Sequence, residues 1–195
     1  MVSRKQIPNL VTASRLVAVP VLWLFALGGY GVIVGIGVFY AWFSDALDGL
    51  LARWLDAESA WGSQFDSVSD TLMFLSSLAW VLILRPGFVV EFALPIAIWM
   101  GLGIFNYLVA WGRFRRVPDA HLISAKLANF AGFLFVAWLL AVGSYPAWLA
   151  WLVLGICIGA AVETSVSVVA LRPDRERLLT VMQRLPLWRR LRSGT

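Results

Sequence analysis

Residues 45–70 read DALDGLLARWLDAESAWGSQFDSVSD, and the fold follows from how this stretch is read. Four carboxylates, Asp45, Asp48, Asp66 and Asp70, stand in or beside strongly apolar sequence. On a helix Asp45 and Asp48 are one turn apart and share a face, and so do Asp66 and Asp70. An uncompensated Asp in an apolar span costs roughly 2.5–3.5 kcal/mol on insertion scales. Four of them cost on the order of 10 kcal/mol, comparable to the whole net stability of a domain. Such residues need a function to keep them there. Two facing pairs of carboxylates suit hard divalent cations, which prefer oxygen ligands.

The surrounding sequence is that of a membrane protein. Of 195 residues, 61% are hydrophobic and only 14% are charged; soluble domains average about 45–50% apolar. The mean hydropathy is +0.81. Six apolar segments, 10–29, 32–54, 64–85, 88–111, 124–144 and 147–171, each approach the roughly 20 residues needed to span a bilayer. Turn chemistry separates several of them, at Gly28-Gly29-Tyr30-Gly31, Arg85-Pro86-Gly87 and Gly143-Ser144-Tyr145-Pro146. The second and third helices are expected to project past the membrane at their polar ends, with Gly62 opening the third or permitting close packing there. Arg4 and Lys5 precede an apolar run that lacks a small-residue cleavage site, which reads as a first span rather than a signal peptide.

Charge sets the orientation. Arg4 and Lys5, Arg53, and the group Arg113, Arg115, Arg116 and Lys126 fall on alternate connections. Seven more Arg lie in the tail, whereas the other breaks hold only Arg85 and Glu91 or nothing. The positive-inside rule then puts both termini inside. The expected fold class is an all-α integral membrane protein: a six-transmembrane-helix bundle, N-in and C-in, with a cytoplasmic-side active site. Residues 1–171 form the membrane domain, and 172–195 form a basic amphipathic tail suited to an anionic membrane surface or to solvent. The net charge of +5 thus speaks for topology and lipid headgroups, and no module for nucleic acid accompanies it. The lone Cys157 has no partner for an internal disulfide and reads as a small core residue.

The spacing is the specific part. Asp45-x-x-Asp48-Gly49-x-x-Ala52-Arg53, eight residues, then Gly62-x-x-x-Asp66-x-x-x-Asp70 resembles the signature of the CDP-alcohol phosphotransferase family at all eight fixed positions. At about one in fifteen per position, chance agreement is on the order of one in a billion per starting point. The residues themselves point to related chemistry. A carboxylate cage with two cations suits phosphoryl displacement, Gly49 lets a bulky ligand approach the helix, and Arg53 offers a fork of donors for phosphate.

The resemblance implies more. Asp45, Asp48 and Asp66 would ligate two divalent cations, Mg2+ or Mn2+, with Asp45 and Asp66 shared between them. Asp70 would touch the second cation and act as general base on the acceptor hydroxyl. Gly49, Arg53 and Ser59 would contact the CDP moiety of CDP-diacylglycerol. The partners implied are this donor, a small alcohol acceptor, membrane lipid and a second copy in a homodimer, with the enzyme in a bacterial inner membrane. The opening IPNLVTASRLVAVPVLWLF looks like phosphatidylglycerophosphate synthases, whose acceptor is glycerol 3-phosphate. Ser67 and Thr71 occupy places where those enzymes often carry Pro and Lys. Acceptors of the serine, inositol, phosphatidylglycerol and choline types therefore stay open.

Other polar residues carry weaker signals. Thr12 and Arg15 lie one turn apart in the first span, where an intramembrane Arg faces the bundle interior by default; they fit a site-adjacent role or a pairing with one of the Asp. Arg113 and Lys126 would suit a phosphorylated acceptor, although topology alone would also place cations there. Glu163 fits a buried hydrogen-bonded group or an acceptor cavity, and His121 fits a loop. A cation channel would spread carboxylates along a path rather than cluster them at one end, and a scaffold would need no metal.

Overall fold

In the computed structural model every regular element among the described residues is an α-helix. The structure describes the backbone of residues 7–54, 60–114 and 122–170, and the side chains of 12–45, 66, 68–113 and 122–169. Ser59, His121 and the tail 172–195 lie outside the described residues. The helices are α1 (Ile7–Leu27), α2 (Gly31–Trp54), α3 (Ala60–Leu84), α4 (Pro86–Glu91), α5 (Ala93–Phe114), α6 (Ile123–Val142) and α7 (Ala147–Ala170). Among the described residues three stretches are long and apolar enough to cross a membrane, Ala93–Arg113, Ile123–Val142 and Ala147–Val169, and Thr12–Leu27, Gly31–Asp45 and Val68–Leu84 are shorter apolar stretches.

Each of the six apolar segments contains a helix, with one revision: the fourth is broken. Pro95 has no N–H to give to the carbonyl four residues back, at Glu91. The chain therefore stops α4 at Glu91 and restarts as α5, whose early Ile96 N–H bonds to the Phe92 carbonyl at 3.0 Å. Gly62 does not open α3, which begins two residues earlier at Ala60.

The chain forms two compact units. The first holds α1 to α4 with residues 133–145, and α1 packs on both α2 and α3. Its buried residues follow helical stripes: Thr12, Arg15, Leu22 and Ala26 on α1, Val34, Val38 and Ala41 on α2, and Ser69, Met73, Ser76 and Trp80 on α3. Trp23 donates to Ser76 Oγ at 3.1 Å and meets Trp80 edge-on at 6.0 Å. The opposite faces expose Val17, Leu24, Val32, Ile36, Leu75 and Leu82. Large apolar surface turned outward on most helices is what a lipid environment requires.

Local chemistry ends the helices. At the close of α1 the Tyr30 N–H bonds to the Phe25 carbonyl at 2.9 Å and the Gly29 N–H to the Ala26 carbonyl at 3.0 Å. Gly29 takes φ of 81°, which glycine adopts without steric cost, and the Phe25 and Tyr30 rings meet at 6.0 Å. This is a Schellman motif with its apolar contact. Arg85 caps α6: its Nε donates to the Leu139 carbonyl at 2.9 Å and Nη2 to the Leu140 carbonyl at 2.6 Å. In the same unit the Tyr145 hydroxyl donates to Glu91 Oε2 at 2.7 Å, and that carboxylate, with some burial, pushes the phenol up to about 12.

Gly35 marks a close crossing of α2 and α6. A Cβ there would stand 2.6 Å from the Ala137 carbonyl oxygen and 2.6 Å from the Ala141 nitrogen, both backbone atoms that cannot rotate away. The atoms nearest a Cβ at Gly37 all belong to the Leu22 side chain, which can shift more readily than backbone. Gly35→Ala is therefore expected to cost about 1–3 kcal/mol through overpacking, and Gly37→Ala less. Thermal unfolding in detergent checks this; an equal or larger loss from Gly37→Ala would count against it.

The second unit holds α5, residues 123–132 and α7, with α5 against α7. Asn106 on α5 is buried and donates to the Ala161 carbonyl at 3.0 Å. Arg113 Nη1 donates to the Val169 carbonyl at 2.6 Å and the Val168 carbonyl at 3.3 Å. A cation thus satisfies the last carbonyls of α7, as Arg85 does for α6. Cys157 is buried, with Sγ 3.8 Å from the Ala128 carbonyl oxygen.

Candidate active site and metal centre

The site grows out of the buried stripes of the first unit. Asp45 falls four residues after Ala41 on α2, and Asp66 falls three before Ser69 on α3, so both continue an inward-facing register. Asp70 is one turn beyond Asp66. The helices thereby deliver three carboxylates, from sequence positions up to 25 residues apart, to one place. Asp45, Asp66 and Asp70 each offer an oxygen, and these oxygens lie within 4.8 Å of one another.

The group that joins them is Arg15. Its Nη1 donates to Asp45 Oδ1 at 3.0 Å and to Asp70 Oδ1 at 2.6 Å, and its Nη2 donates to Asp66 Oδ1. Arg15 is only 2% exposed, whereas the three carboxylate side chains are 42%, 38% and 50% exposed. The guanidinium lies on the buried side and the carboxylates open outward. A cation this buried needs such partners, because an unpaired charge in an apolar interior is too costly to persist. Ser69, next to Asp70 in the chain, is fully buried, and Ser14, next to Arg15 in the chain, has its Oγ 2.8 Å from the Tyr40 hydroxyl.

Oxygen-only donors converging within a few ångströms fit a hard divalent cation of the Mg2+ or Mn2+ type. Asp48, Gly49 and Arg53 follow Asp45 along the α2 backbone by three, four and eight residues, and their side chains lie outside the described residues. Arg113 and Lys126 belong to the second unit; Lys126 is exposed in the first turn of α6, and Arg113 is bonded to the α7 carbonyls.

A family model described as CDP-alcohol phosphatidyltransferase matches residues 5–159, most of the chain, including all four Asp. The chain belongs to that family. CDP-alcohol phosphatidyltransferases act in phospholipid biosynthesis, moving a substituted phosphate group from a CDP-alcohol to an alcohol acceptor. The family uses divalent cations, and the acidic cluster of this member has the donor set for them. No curated protein and no solved structure matches the chain.

Sequence reasoning placed Arg15 near the site but not at its centre. Its three-way bridge joins residues 30, 51 and 55 positions away. The available signal was the helical register of Thr12 and Arg15 with Leu22 and Ala26, which marks Arg15 as inward-facing in a span with no other charge.

Proposed function

We propose that this family member transfers a phosphatidyl group from CDP-diacylglycerol to glycerol 3-phosphate and releases CMP. The observation that carries the reading is the convergence of Asp45, Asp66 and Asp70, three of the eight fixed positions of the motif. Asp45, Asp48, Asp66 and Asp70 would hold two divalent cations, Mg2+ or Mn2+. When bound, such a pair neutralises a pyrophosphate and stabilises both the attacking and the leaving oxygen.

The chain's own residues would do the rest. Gly49, Arg53 and Ser59 bind the CDP moiety and hold the β-phosphorus in line for attack. Asp70 accepts the proton of the acceptor hydroxyl, since a neutral hydroxyl is a poor nucleophile. The acceptor oxygen forms a bond to the β-phosphorus, the bond to the CMP oxygen breaks, and its electron pair leaves with CMP. Arg113 and Lys126 supply cations for a phosphorylated acceptor; in that role Arg113 would have to share its donors with the α7 carbonyls it already caps.

The likeness of the opening segment to phosphatidylglycerophosphate synthases favours glycerol 3-phosphate. Six spans with both termini inside a bacterial inner membrane would turn the carboxylates toward cytoplasmic nucleotide and metal. The tail 172–195 would lie on the same membrane surface. The test is CMP release from CDP-diacylglycerol by purified protein with Mg2+ or Mn2+ and a panel of glycerol 3-phosphate, serine, inositol phosphate, phosphatidylglycerol and choline. Release with glycerol 3-phosphate at least tenfold above the other acceptors is expected. Preference for another alcohol overturns the acceptor, and no metal-dependent CMP with any of them overturns the enzyme reading.

A further inference from the structure

We propose that Arg15 is a positioning residue of the cation centre, its guanidinium holding one oxygen of each carboxylate so that the other is presented to the ions. This rests on the two-cation reading above and deepens it. Two observations carry it beyond the acidic cluster itself. The first is the bonding pattern: one guanidinium donates to Oδ1 of Asp45, Asp66 and Asp70 together. Each carboxylate has two oxygens, so each keeps Oδ2 for another ligand. The second is the burial gradient: Arg15 is 2% exposed behind carboxylates that are 38–50% exposed. An ion arriving from outside meets the carboxylates first and need not take the seat of the guanidinium.

The physical need is clear. Three carboxylates gathered within 4.8 Å repel one another, and left alone they would splay or take up protons. A planar fork with fixed donor directions can hold three acceptors at set angles, whereas an ammonium is a point charge on a flexible stem. Groups that orient the ligands of a metal typically change its affinity 10–100-fold when mutated. The opposite role, a tethered cation that occupies the site and competes with the metal, would place the guanidinium on the exposed side of the cluster.

Arg15→Lys separates geometry from charge, because it keeps the positive charge and loses the fork. Binding of Mn2+ alone to the full-length protein in detergent is followed by the EPR signal of free Mn2+. Arg15→Lys and Arg15→Gln are expected to raise the Kd at least tenfold, with helical circular dichroism and elution unchanged. Unchanged or tighter binding in folded Arg15→Lys overturns the proposal. A measurement on the wild type stands even if neither variant folds. In protein carrying 15N-arginine, bound Mn2+ should show a dipolar coupling to a guanidinium nitrogen that persists in Arg53→Lys, which leaves Arg15 as its source. No such coupling means the guanidinium leaves when the ion binds, and the proposal fails. Wild-type protein that binds no Mn2+ overturns the cation reading itself, so the two failures are told apart.

Discussion

Asp70→Asn is expected to lower CMP release by about a thousandfold or more while CDP-diacylglycerol still binds. The substitution keeps the size of the side chain and an acceptor oxygen for Arg15, but removes a charge and a proton acceptor. Loss of a positioned general base alone costs typically 10²–10⁴ in rate, and Asp70 is also one of the three clustered oxygens. Arg15 keeps its bonds to Asp45 and Asp66, so the helix packing around it should survive. Donor binding should survive as well, because the residues assigned to the CDP moiety, Gly49, Arg53 and Ser59, are not touched. Turnover assays and retention of labelled CDP-diacylglycerol check the two halves separately. Near-normal turnover would show that another group takes the proton. Loss of binding along with turnover would move Asp70 from chemistry to donor recognition.

The same site shows what a single sequence makes legible. The carboxylates stood out because charge inside apolar segments is expensive, and their spacing on helices put them in pairs. Helical register then extends the argument: Asp45 and Asp66 continue the stripes of Ala41 and Ser69, which are buried. What stayed hidden is the identity of partners far apart in the chain. Arg15 could be read as inward-facing, but not as the common partner of residues 45, 66 and 70, because that depends on how α1 packs against α2 and α3 at once.

Arginines at helix ends are a second case. Arg85 reads as one charge in a turn, yet its guanidinium satisfies carbonyls of α6 at Leu139 and Leu140. Arg113 reads as a cation for an acceptor phosphate, and the structure gives it the carbonyls of Val168 and Val169. In both cases the helix end that needed a donor lies more than 50 residues away, and no local pattern announces it. The break at Phe92 is different in kind. Pro95 accounts for a break four residues back, but Pro20 sits inside the unbroken α1, so a proline in the sequence does not by itself announce a stop.

Removal of divalent cations should stop turnover as completely as Asp70→Asn, and Mg2+ or Mn2+ should restore it. The reason is electrostatic. Asp45, Asp66 and Asp70 with Arg15 bring three carboxylates against one guanidinium, and Asp48 adds a fourth acid to the motif. A donor with a pyrophosphate adds further negative charge to the same place. At roughly 5 Å and an effective dielectric constant near 20, each pair of like charges repels by about 3 kcal/mol, and every 1.4 kcal/mol is a factor of ten in rate. Neither the donor nor a developing negative charge on the leaving oxygen is tolerable there without cations, and a monovalent ion at equal ionic strength should not replace them. Chelation should nevertheless leave the protein folded, because Arg15 keeps the carboxylates compensated when no ion is bound. The thermal midpoint should therefore move far less on chelation than in small domains whose folding depends on their metal. CMP release that persists in excess chelator would sink the metal requirement. A chelated protein that unfolds would show that Arg15 does not compensate the carboxylates on its own.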